Sequence, residues 1–284
     1  MIKLKYTFKS DILFKMVFVK YPELLKKLVA AMLGILVESI TDFEILNPEM
    51  TPESIEKKFC RLDINMRVNG QRVDLEIQVT GEKDYPERVM FYWARDYSSA
   101  LPAGEDYSRL PRTIVISILD FELFDCEEYD SFFQPLETKR HTLLSDKMGF
   151  RFFELPKLPR LPEEANEGNI LLLWLSLFNA DTEEELEKLS KMEVPVMSEA
   201  INAYYSVSTS SEYYEMERLR EKTSHDEAQA LHIAEMRGEQ RGERKGIEKT
   251  AKNLLSMGLT IEQIMKATSL TQAEIEDLSK KDIC

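Results

Sequence analysis

The chain has 284 residues, 43% hydrophobic and 31% charged, and a net charge of -14 from 37 Lys and Arg against 51 Asp and Glu. This suffices for one large or two small cores, whereas the longest apolar run, residues 170–178, is too short for a membrane span and the opening MIKLKYTFKSD has no signal-peptide core, so a cytoplasmic protein with no membrane contact is expected. The three Cys lie far apart, the three His have no zinc spacing, and neither G-x-x-x-x-G-K-[ST] nor G-x-G-x-x-G occurs, which argues against a disulfide frame, a zinc site and a nucleotide cradle and leaves carboxylates to carry any chemistry.

Ser10 ahead of Ile12, Leu13, Met16 and Val17 predicts a capped first helix, and Pro22 opens a second that stops at Gly34. Alternating β-branched residues predict strands over 40–46, 59–68 and 72–79, the last two joined by Asn69-Gly70, a two-residue hairpin turn. Helical spacing follows over 86–101, with Tyr92, Trp93 and Tyr97 expected mainly to pack on the sheet, and the nearly all-apolar 112–119 suits a strand buried on both faces. Shorter strands are expected at 129–133 and 150–155, after which Pro156, Pro159 and Pro162 mark a boundary and the rest reads helical. The predicted class is α/β, an α+β core in the order ααβββαβ with a helical C-terminal region, divided as 1–160, an acidic helical region 161–222, a charged helical linker 223–250 and a small trihelical unit 251–284.

The hairpin carries the chemistry. With Asn69-Gly70 as the turn, Val68 faces Gln71 and every cross-strand pair sums to 139, so Asp63 faces Glu76, Asn65 faces Asp74 and Arg61 faces Gln78. One side is polar and the other reads Leu62, Ile64, Met66, Val68, Val73, Leu75, Ile77, Val79. Like charges directly opposite each other destabilise a sheet, so something must offset Asp63 against Glu76: a divalent cation ligated by both carboxylates, or an ion-pair cluster centred on Arg61.

Asp63, then a turn, then Glu76-x-Gln78 on the next strand resembles the metal-binding signature of the PD-(D/E)XK nuclease superfamily. The phrases DILFKMVF, FEILNPEM, RLDINMRVNGQRVDLEIQV, ERVMFYWARDYSSAL, GEDYSRLPRTIVISILDF and FRFFELPKL, over roughly residues 8–158, resemble more closely its recombination-promoting nuclease / putative transposase family. The resemblance implies a restriction-endonuclease-like core, Mg²⁺ or another divalent cation held by Asp63 and Glu76 with Asp11 adding a carboxylate, and a catalytic set of Asp63, Glu76 and Gln78. Gln78 stands where the superfamily has a lysine; a lysine stabilises developing charge, whereas glutamine only orients water. The implied activity is metal-dependent endonucleolytic hydrolysis of DNA connected with recombination or mobile elements; the alternative is a catalytically weak nuclease fold serving as a DNA-binding or regulatory module. Lys15, Arg61, Arg88 and Arg95 are the candidates for DNA phosphates. Seven Lys in residues 1–40 against Asp11, Glu23 and Glu38, with fourteen acids against four bases over 162–221, place any DNA contact in the N-terminal part; the other reading of these charge blocks is that they are solvated helix faces.

Gly238, Gly242 and Gly246 recur every fourth residue among Glu, Arg and Lys. Glycine weakens a helix by roughly 1 kcal/mol, so the stretch reads either as a helix–helix contact, giving a homodimer through the C-terminal helices, or as a flexible charged linker, the latter favoured because an apolar seam is lacking. Residues 251–279, with capping boxes at Thr260 and Thr271, have the outline of a helix-turn-helix, but Glu274, Glu276 and Asp277 give the would-be recognition helix the wrong charge for a major groove, and packing or protein contact is expected instead.

Overall fold

The computed structural model describes residues 2–47, 64–158 and 168–280. Two compact units emerge, Met1–Arg220 and Glu221–Cys284, so the boundary expected at 160 falls inside the first. In the first unit the helices are α1 (Asp11–Lys20), α2 (Pro22–Leu33), α3 (Tyr85–Ser99), α4 (Ile170–Asn179), α5 (Glu183–Ser190) and α6 (Pro195–Ser208), and the strands are β1 (Phe43–Ile45), β2 (Ile64–Val68), β3 (Gln71–Gln78), β4 (Thr113–Leu119), β5 (Asp130–Phe133) and β6 (Met148–Glu154). The strands form one sheet in the order β1-β2-β3-β4-β6-β5, with β3, β4 and β6 parallel and the other pairs antiparallel. A parallel pair needs a crossover, and α3 supplies it between β3 and β4.

The local signals account for most of these elements. Ser10 Oγ accepts the Leu13 N–H at 3.3 Å to start α1, and Gly34, at φ 68°, closes α2 through bonds to the Ala30 and Ala31 carbonyls. Thr182 and Glu185 form a reciprocal capping box that opens α5. The strand expected over 40–46 shortens to Phe43–Ile45; ahead of it the Thr41 and Asp42 N–H groups donate to the Asn69 side chain and not to a neighbouring strand.

Both faces of the sheet are covered. Ile64, Met66, Val68, Val73, Leu75 and Ile77 point into the main core with α1, α2, α4 and α6, so the acidic helices share that core instead of forming one of their own. The hairpin's polar side is not left to water: α3 lies over that face of the sheet, packing Tyr85 and Val89 against Val115, Phe150 and Phe152. Trp93 packs there as expected, edge-on to Phe150, stacked on Tyr97, and donating its indole N–H to the Thr113 carbonyl at 2.9 Å.

Helix α7 (Ser211–Ser256) runs unbroken through Gly238, Gly242 and Gly246, which corrects the flexible-linker expectation. The strong helix formers between the glycines and the Arg244–Glu248 pair one turn apart outweigh them. In the second unit the end of α7 packs with α8 (Ile261–Thr268) and α9 (Gln272–Lys280) around Ala251, Ile264, Leu270, Ile275 and Leu278. Among the described residues no helix is long and apolar enough to cross a membrane.

Candidate active site

Strand β3 alternates, and its polar set, Arg72, Asp74, Glu76 and Gln78, falls on the α3 side of the sheet. The hairpin register is the one the turn dictates: Val68 pairs with Gln71, Asn65 with Asp74 and Ile64 with Leu75. Asn69 and Gly70 adopt φ of 49° and 75°, as a type I′ turn requires. Asp63 and Arg61, expected opposite Glu76 and Gln78, lie outside the described residues.

Glu76 sits beside Ser117 on β4, whose hydroxyl donates to Glu76 Oε1 at 3.3 Å. Tyr85, the first residue of α3, donates its phenol to the same oxygen. Tyr85 is fully buried, and burial, followed by the charge of Glu76, raises its pKa well above the ordinary phenol value. The phenol therefore stays protonated and holds the carboxylate in one orientation. One turn along α3, the Arg88 guanidinium lies 5.0 Å from the Tyr85 ring and pairs with Glu82 at 2.8 Å. Asp74 is buried two residues before Glu76 on the same face, while Arg72 ties β3 to α3 by its 2.6 Å pair with Asp96.

Gln78 closes the strand. Its side-chain amide donates to the Thr80 carbonyl at 3.0 Å, and its own carbonyl accepts the Asp120 N–H at 2.9 Å. The Asp120 carboxylate pairs with Lys9 at 2.9 Å, and Lys9 adjoins the cap of α1, so the start of that helix is drawn to the end of the sheet where β3 and β4 finish. Asp11 is the first residue of α1; its carboxylate accepts the Ile12 N–H at 2.9 Å and pairs with Arg220 at 3.3 Å. Among the described residues no three His, Cys, Asp or Glu side chains converge to hold a metal. Of the phosphate candidates, Lys15 is buried at 3% exposure, Arg88 is partly engaged by Glu82, and Arg95 is exposed on α3.

The donor type fits a hard cation: Glu76 offers a carboxylate, with the Asp74 carboxylate beside it on the same strand face, and among the described residues the strands of the sheet carry no Cys or His. Sequence reasoning missed Tyr85 and Ser117. Ser117 left a trace, a lone hydroxyl inside the apolar run 114–119, whereas Tyr85 left none beyond its place ahead of Pro86. An apolar cavity of about 330 Å³ between α3 and β5–β6, lined by Pro86, Val89, Phe133, Met148 and Phe150, does not include Glu76.

A family model described as PD-(D/E)XK nuclease family transposase matches residues 8–234. No curated protein and no solved structure gives a match.

Proposed function

Because the chain belongs to the PD-(D/E)XK nuclease family transposases, nucleases associated with mobile elements, we propose that it hydrolyses phosphodiester bonds within DNA with a divalent cation, Mg²⁺ first among them. The observation that carries this reading is the fixing of Glu76: two hydroxyls on one carboxylate oxygen, at the centre of a sheet and beside Asp74, are what an oriented metal ligand needs. Glu76 and Asp63 are the proposed ligands, Asp63 from the sum-of-139 register alone, with Asp11 as a third carboxylate.

When bound, the cation supplies positive charge against the charge that builds on the phosphate oxygens during cleavage. The remaining roles belong to the chain. Tyr85 and Ser117 keep Glu76 aimed, Gln78 orients water with its amide, and Arg61, Arg88 and Arg95 hold the DNA backbone. The burial of Lys15 argues against a phosphate contact for that residue.

The test is cleavage of supercoiled plasmid by the purified protein in Mg²⁺ and in EDTA, beside the Asp63→Ala and Glu76→Ala proteins. Metal-dependent nicking or linearisation that both substitutions abolish, with melting temperatures preserved, supports the reading. A folded protein that cuts under no condition overturns it. That result would favour a DNA-binding module, a reading with one observation behind it: the Gln78 amide is directed to the Thr80 carbonyl.

A further inference from the structure

Helix α7 carries an exposed face, most of it beyond the region matched by the family model, that has a self-complementary charge pattern. Residues 237–249 read RGEQRGERKGIEK, a repeat of four in which a base precedes each glycine and an acid follows the first two. At 3.6 residues per turn, positions four apart advance by only about 40°, so each residue type forms its own row along the helix. Arg237, Arg241, Lys245 and Lys249 make one row, Gly238, Gly242 and Gly246 the next, and Glu235, Glu239 and Glu243 the row beyond the glycines. Upstream, Ala234 and Leu231, the latter 61% exposed, continue the glycine row at spacings of four and three. The apolar seam judged absent from the glycine stretch alone therefore begins one to two turns earlier.

Among the described residues, nothing within 4 Å would meet a Cβ added at any of the three glycines. All seven flanking charges are exposed, and among the described residues none of them makes an ion pair. Within a single helix the arrangement is unfavourable: each row sets like charges one turn apart, and three glycines weaken the helix further. A partner that meets the basic row with acid and the acidic row with base removes both penalties, and the chain itself has that chemistry.

The direction of pairing follows from symmetry. A two-fold axis parallel to the helices places the basic flank of one copy against the acidic flank of the other on both sides of the seam, whereas an antiparallel pair sets basic against basic and acidic against acidic. The geometry points to a parallel homodimer of α7 packed along Leu231, Ala234, Gly238, Gly242 and Gly246, with Arg237, Arg241 and Lys245 of each copy facing Glu239 and Glu243 of the other. The glycines bring the two backbones close, and the flanking charges set register and direction.

The test uses full-length protein in analytical ultracentrifugation. The wild type is expected at twice the 33.1 kDa chain mass, shifting toward the monomer as salt screens the flanks. A chain with Arg237→Glu, Arg241→Glu and Lys245→Glu, and a second with Glu235→Lys, Glu239→Lys and Glu243→Lys, are each expected to sediment as monomers and to form a one-to-one dimer when mixed. That rescue is beyond a misfolded variant. Zero-length carbodiimide coupling of mixed ¹⁴N and ¹⁵N wild-type chains should link Lys245 of one chain to Glu239 or Glu243 of the other. A monomeric wild type, self-association of either reversed chain as strong as that of the wild type, failure of the mixture to pair, or coupling that joins Lys245 only within its own chain would each overturn the proposal.

Discussion

A phenol whose pKa is driven upward is a permanent hydrogen-bond donor, and that is what Glu76 receives from Tyr85. Tyr85→Phe removes the donor while keeping the ring against Phe121 and Phe152. The expected loss of fold stability is about 1 kcal/mol, since the hydrogen bond goes and the packing stays. On the proposed reading of Glu76 as a metal ligand, the larger expected effect is on the site: partners that orient a metal ligand typically contribute about 10–100-fold to affinity or activity. Cleavage by Tyr85→Phe should therefore need about 10–100-fold more Mg²⁺ and recover in part when Mg²⁺ is raised; a variant that merely loses stability would show an unchanged Mg²⁺ requirement, and that outcome would remove Tyr85 from the site. The facing of Val68 with Gln71, Asn65 with Asp74 and Ile64 with Leu75 was legible in the sequence because a two-residue turn converts position into facing by arithmetic. Tyr85 was not, because its partner lies on another element and the contact exists only once α3 has crossed over the sheet.

At the scale of elements, the Asn69-Gly70 turn does more than reverse the chain. The Asn69 side chain accepts the Thr41 and Asp42 N–H groups at 2.9 and 3.1 Å and donates to the Ser39 carbonyl at 2.8 Å, so the hairpin also anchors the lead-in to β1. Asn69→Ala loses these bonds and leaves alanine in a left-handed conformation that asparagine tolerates, an expected destabilisation of about 2–3 kcal/mol by urea unfolding. A value within a few tenths of wild type would mean the turn is not anchoring the sheet. Helix α9 offers a pH-dependent counterpart. Arg244, and then the Thr271 N–H at the start of the helix, pull the Glu274 carboxyl down to about 2. Its folded pKa lies below the unfolded value near 4.3, so its contribution is complete above that pH and fades as pH falls toward about 2. Glu274→Gln should lose helical circular dichroism at higher pH than wild type does on acid titration, and superimposable titrations would count against the assignment. Both turn and cap were announced by their residue types. The stretch 223–250 read as helical, but its passage through Gly238, Gly242 and Gly246 stood between a helix–helix contact and a flexible linker, because local propensity reads three glycines as breaks while the intervening Glu, Arg, Gln and Lys sustain the helix.

For the whole molecule, the division into two units has a spectroscopic handle. Both tryptophans, Trp93 and Trp174, lie in the first unit, one on α3 against the sheet and the other in the main core. The second unit has a small core of its own, Ala251, Ile264, Leu270, Ile275 and Leu278, and a core of that size gives marginal stability by itself. Tryptophan fluorescence therefore follows the first unit alone, while circular dichroism at 222 nm follows the helices of both. On heating, a first loss of helix is expected without a change in fluorescence, followed by a second step seen by both probes. If α7 pairs two chains, the first step is coupled to dissociation and its midpoint rises with protein concentration, whereas the fluorescence midpoint stays fixed. Reversing the basic row by Arg237→Glu, Arg241→Glu and Lys245→Glu should lower the first midpoint and abolish its concentration dependence without moving the second. Two probes that melt together at every concentration would show instead that the units fold as one body, and the stability of the C-terminal helices would then have to come from the first unit and not from a second copy.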